Sequence, residues 1–135
     1  MIESGIIVAL GSNTCPRENI EKAKRLLMER FGPETVFSSF MKTSPIGMSG
    51  PDFINCIMTT RSAFTTEQAT AALKETEQLC GDTQALRSEG KVLLDADLLL
   101  CQGERHHLPD WQRPYIMELL NELKQQDNNI SKQRL

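Results

Sequence analysis

Val92-Leu-Leu-Asp95-Ala-Asp97-Leu-Leu-Leu100 is an apolar run interrupted only by two aspartates with one alanine between them. Apolar residues over this length read as a strand, and on a strand Asp95 and Asp97 project to the same face, about 6.5 to 7 Å apart at the backbone. Carboxylates inside so apolar a segment are costly unless they are hydrated, protonated or paired with cations, and no partner adjoins them in sequence. A hard divalent ion bridging to phosphate oxygens supplies such a partner. The alternative is a strand end facing solvent, with both carboxylates hydrated.

Working outward, residues 5–10 are almost uniformly apolar, as in a central strand covered on both faces, and Gly11 breaks that run. Pro16 suits a first helical turn, and Ile20, Ala23, Leu27 and Phe31 recur at helical spacing up to Gly32-Pro33, so a helix is expected over 16–31. Thr35 to Lys42 reads as a second strand, followed by the Pro/Gly-punctuated loop from Ser44 to Pro51. In the next strand, Phe53 to Arg61, the alternation puts Phe53, Asn55, Ile57 and Thr59 on one face and Ile54, Cys56 and Met58 on the other. Thr65 or Thr66 caps a second helix with the stripe Ala69, Ala72, Leu73, Thr76 and Leu79, ended by Gly81. A polar stretch runs to Gly90, a turn is expected near Gly103, and a further helix over Tyr115 to Lys124. Strand, helix, strand, strand, helix, strand is the ferredoxin-like α+β order, an antiparallel sheet with two helices on one face. Residues 1–124 are expected to form one domain, and the polar tail 125–135 to be frayed.

The chain of 135 residues suffices for one core without disulfide or metal staples. Its four cysteines form no C-x-x-C pair, which excludes the common zinc and redox motifs, and they read as reduced packing residues. A net charge of -3 argues against nonspecific nucleic-acid binding. No segment approaches the roughly 18 apolar residues of a membrane span, and the start shows no basic leader, so a cytoplasmic location is expected.

A second constellation is Thr43, Ile46, Phe53 and Asn55. An aromatic ring stacks on planar heterocycles, and an Asn amide offers a donor and an acceptor to a ring edge. An aromatic residue on a strand is equally at home in a core. Gly11-Ser-Asn13, Thr43-Ser-Pro-Ile-Gly47, Pro51-Asp-Phe-Ile-Asn55, Glu77 ahead of Gly81, and Leu94-Asp-Ala-Asp-Leu98 together resemble hydroxymethyldihydropterin pyrophosphokinase, over roughly residues 5–123. That resemblance implies transfer of the terminal diphosphate of ATP to the hydroxymethyl group of a reduced pterin in folate biosynthesis, with two magnesium ions on Asp95 and Asp97, by a monomeric enzyme. It implies that Asn55 bonds the pterin between Phe53 and Tyr115, with Thr43, Ser44 and Ile46 lining the pocket. Glu77 would lie beside the nucleotide, and Arg113 would contact phosphate.

The chain also departs from that family. Where the family carries phosphate-directed arginines, it has Asp82, Gln84 and Val92, with Arg87 and Lys91 near enough to substitute. The usual Pro-His before the last helix is Pro109-Asp110, with His106 and His107 just upstream. These departures leave open a degenerate pterin-binding protein with weak or no transferase activity.

Overall fold

The computed structural model describes residues 5–47 and 49–133, with side chains through residue 127. Residues 6–12 form β1 (Ile6–Ser12), and Gly11 does not end it. Gly11 pairs with Asn55 on one side and Asp95 on the other, so it continues the ladder as a residue without a side chain. Helix α1 (Pro16–Phe31) has the expected bounds, with Ile20, Ala23, Leu27 and Phe31 buried.

The expected strand over 35–42 is two strands, β2 (Val36–Phe37) and β3 (Met41–Thr43). Ser38 marks the break: its Oγ accepts the Ile57 N–H at 2.8 Å while its own N–H donates to Ile57 O at 2.8 Å. Ser39 is then drawn away, its N–H and Oγ both donating to the Glu122 carboxylate at 2.7 and 2.6 Å. β4 (Phe53–Thr60) follows, with the expected alternation of faces. Helix α2 (Thr66–Leu79) opens on a capping box between Thr65 and Gln68. Its stripe is buried through Thr76, but Leu79 is 52% exposed, while Cys80 after it is buried again.

The stretch before the aspartates holds an unforeseen short helix, α3 (Gln84–Ser88), whose first turn is capped by Thr83 Oγ1 accepting from Leu86 N at 3.1 Å. β5 (Asp95–Cys101) therefore starts at Asp95 and not at Val92. Ahead of it, the amides of Leu93 and Leu94 donate to Asp82 Oδ1, and Val92 exchanges bonds with Asn13. β6 (Glu104–Arg105), a short 3-10 turn (Leu108–Gln112) and α4 (Pro114–Gln133) complete the chain, α4 running beyond the Lys124 at which the sequence pattern ends it.

All pairings are antiparallel, in the order β2-β4-β1-β5-β6 with β3 also on β4. The sheet is the ferredoxin-like one, with β1 at its centre. Val8, Leu10, Cys56, Met58 and Leu98 pack with α1 and α2 on one face. Ile7, Ile57 and Leu99 pack with Ile116, Leu119, Leu120 and Leu123 of α4 on the other. The second layer distinguishes this fold from a sheet covered on one face only. Among the described residues no helix is long and apolar enough to cross a membrane.

Candidate active site

The α4 face of the sheet changes character along its length. Toward one end it is closed by Ile7, Ile57 and Leu99 under the helix. Two residues further along each strand, the same face presents Ala9 and Asp97, then Asn55, Gly11 and Asp95 in one row across β4, β1 and β5. The apolar core thus gives way to a polar floor without any change of strand.

Gly11 makes that floor usable. A Cβ there would lie 3.2 Å from Asn55 Oδ1 and 3.5 Å from Phe53 Cδ2, so its absence leaves room between the amide and the ring. Asn55 is held by its amide nitrogen, which donates to Thr43 Oγ1 at 2.8 Å and Met41 O at 3.0 Å. Its carbonyl oxygen, with no hydrogen bond among the described residues, is the group left for a ligand. Thr43, Ser44, Ile46, Phe53, Asn55 and Tyr115 line one open cleft together with Arg87, Asp95, Asp97 and Arg113, so ten of the sequence candidates converge. Glu77 lines an adjoining cleft that shares Arg87, Asp95 and Asp97 with the first. Lys91 lines neither: it is exposed, and its N–H turns back to Leu86 O.

Around the aspartates the electrostatics are tightly coupled. Burial, and then the nearby Asp95 charge, push the Asp97 carboxyl up to about 7, with His107 opposing them. Among the described residues Asp97 accepts no hydrogen bond, and its nearest basic side chain is His107, with Nε2 at 3.9 Å. Glu77 is also pushed up by burial, although its Oε2 accepts the Ala96 N–H at 2.9 Å. Two carboxylates on one face, one of them accepting no hydrogen bond among the described residues, fit a hard divalent cation.

The cationic side is built by Arg87. Its Nε donates to Asp82 Oδ2 at 2.6 Å, and one terminal nitrogen lies 3.1 Å from Leu94 O, 3.4 Å from Asp95 Oδ1 and 3.6 Å from Glu77 Oε2. Burial disfavours the guanidinium charge, but Asp82 and then the other carboxylates outweigh it and hold the group above its ordinary range. Gln84 is exposed on α3, and Val92 is buried. Arg113 lies beyond the aspartates, 3.2 Å from Asp110 Oδ1. Tyr115, next to it, has its phenol raised by burial.

Two functional candidates escaped the sequence reading. Asp82 stands out there only as a missing arginine, and its reach to Arg87 crosses the start of a helix too short to show periodicity. Asp110 stands out only as a missing histidine, yet it approaches Asp97 and His107. Asn13 has a fastening role: its side chain donates to Gly90 O at 2.9 Å and accepts from Val92 N at 2.7 Å, tying the Gly11-Ser-Asn13 segment to the chain entering β5.

The site therefore sets an amide and an aromatic ring beside an acidic strand flanked by two arginines. That combination suits a flat heterocycle next to a metal-bound phosphate. No curated protein matches the chain. The family model for 7,8-dihydro-6-hydroxymethylpterin-pyrophosphokinase matches residues 7–125, and the chain belongs to that family of folate-pathway pterin pyrophosphokinases.

Proposed function

We propose that this chain transfers diphosphate from ATP to the hydroxymethyl group of 6-hydroxymethyl-7,8-dihydropterin. The observation that carries the proposal is the row Asn55, Gly11 and Asp95, which sets the Asn55 amide and the Phe53 ring directly beside a carboxylate strand in one open cleft. The substrate hydroxyl oxygen attacks the β-phosphorus, the bond from that phosphorus to the α,β-bridging oxygen breaks, AMP departs, and the hydroxyl proton passes to solvent. Such a transfer needs positioning and charge neutralisation, not a protein nucleophile.

Phe53 and Tyr115 enclose the pterin ring, Asn55 bonds its edge, and Thr43, Ser44 and Ile46 close the pocket. Asp95 and Asp97 would hold magnesium, two ions by family likeness, which when bound offset phosphate charge. Glu77 and Arg87 serve the nucleotide, Lys91 stands outside both clefts, and Arg113 faces the transferred group. On this reading the chain works as a cytoplasmic monomer on small-molecule substrates.

The test is AMP formation from ATP, magnesium and the pterin by folded protein. AMP well above background that disappears in Asp97→Ala supports the proposal; identical traces from the two proteins sink it.

One observation favours a second reading, a pterin-binding protein with little transferase activity. Arg87 is already shared among Asp82, Asp95 and Glu77, while Asp82, Gln84 and Val92 bring no positive charge. A charged hydrogen bond to phosphate is worth about 1.5 to 3 kcal/mol, so three uncompensated losses would cost on the order of a thousandfold or more in rate. Calorimetry separates the readings: pterin binding without magnesium-dependent binding of an ATP analogue favours the second.

A further inference from the structure

We propose that Asp97, His107 and Asp110 form a mixed nitrogen and oxygen site for one transition-metal ion, for which Mn2+ is the probe. One ligand atom from each residue lies within 4.8 Å of the other two. Metal bonds of about 2.0 to 2.2 Å require donor atoms about 3 to 4.4 Å apart, a span that modest side-chain adjustment reaches from here.

The three residues come from two directions, and local structure holds each of them. Asp97 is fixed by β5 between Ala96 and Leu98. His107 and Asp110 belong to a single turn, closed by the Asp110 N–H donating to His107 O at 2.9 Å. Arg113 steadies the Asp110 carboxylate at 3.2 Å, the outer contact expected of a metal-binding carboxylate. Neither Asp97 oxygen accepts a hydrogen bond among the described residues.

Asp95 is placed differently. It lies on the Arg87 side at 3.4 Å and is not part of the mixed group. A second imidazole stands at the wall of the adjoining cleft: His106 lines it, and its Nε2 is buried without a hydrogen-bond partner among the described residues. Imidazole nitrogen is a poor ligand for Mg2+ and a good one for first-row transition metals, so the donor set biases the site away from magnesium.

The test needs neither ATP nor pterin, so its failure would be distinct from failure of the transferase reading. The full chain is titrated with Mn2+ while the free-ion electron paramagnetic resonance signal is followed, and Mg2+ is then added as competitor. The expected result is one bound Mn2+ per chain, held at least about tenfold more tightly than Mg2+. His107→Asn, an exchange that tolerates the left-handed backbone at φ 53°, is expected to weaken Mn2+ about tenfold or more while leaving Mg2+ within about threefold. Asp110→Asn is expected to weaken Mn2+ by a similar factor, and circular dichroism confirms that both variants are folded. Absence of Mn2+ binding at millimolar concentration, or unchanged Mn2+ affinity in the two folded variants, overturns the proposal.

Discussion

Asp82 holds Arg87 with one carboxylate oxygen and the chain entering β5 with the other: Oδ2 accepts from Arg87 Nε at 2.6 Å, and Oδ1 accepts from Leu93 N at 3.0 Å. The Asp82 side chain is only 7% exposed, so its loss would strand both donors in a poorly hydrated place. We expect Asp82→Ala to cost about 2 kcal/mol of stability, and Asp82→Asn about half of that because the amide oxygen still receives the backbone. Urea unfolding measures both, and an Asp82→Ala variant within about 0.5 kcal/mol of the parent would show that the link carries no stability.

That link also explains what the sequence could and could not convey. Period-two alternation on β4 and the Asp-x-Asp spacing on β5 assign Asn55, Phe53, Asp95 and Asp97 to faces, because a strand fixes side-chain direction by residue parity. The register that sets Asn55, Gly11 and Asp95 in one row is a relation between three strands, and no single segment encodes it. The same limit hid Ser38 and Ser39. They look like strand residues until Ile57 and Glu122, distant in sequence, compete for their hydrogen bonds. Asp82 and Asp110 were invisible for a related reason: a carboxylate in a loop reads as solvated until a partner is known.

Gly11 is the position where adding a single carbon should separate binding from folding. A Cβ 3.2 Å from Asn55 Oδ1 and 3.5 Å from Phe53 Cδ2 forces the amide or the ring aside by a few tenths of an ångström. Gly11 sits in extended pairing on both sides, a backbone that alanine adopts readily. We expect Gly11→Ala to lower pterin affinity about tenfold or more, a loss of about 1.4 kcal/mol, with a smaller change in stability. Calorimetric titration with the pterin checks this, and an unchanged affinity would remove Gly11 from the pocket floor.

Asn13 should act on the same region from behind. Its side chain bonds Gly90 O and Val92 N, and Asn13→Ala leaves the Val92 amide without its acceptor. Hydrogen exchange at Val92 should then speed up about tenfold or more, while amides in the middle of α1 remain protected. Equal exchange in the two proteins would mean that Val92 is protected by burial alone.

Asp97 gives the sharpest dependence on pH. Its carboxyl is raised from 3.8 to about 7, chiefly by burial and then by Asp95, so between those values the folded state holds a proton that the unfolded state releases. Stability from this group is greatest at low pH, falls as pH rises from about 4 through about 7, and changes little above that. Glu77 is raised as well and works in the same direction, so the parent protein alone cannot isolate Asp97. Asp97→Asn can, since the amide keeps the shape and removes the titration. Urea unfolding in chelator at about pH 5 and about pH 8 should show the parent losing stability over that interval and Asp97→Asn losing clearly less. A divalent cation supplies the missing counter-charge, so adding one should restore the parent at about pH 8 and do little at about pH 5, where protons compete for the site. Parallel pH profiles for parent and variant would mean that Asp97 is hydrated in the folded protein and carries no strain for a cation to relieve.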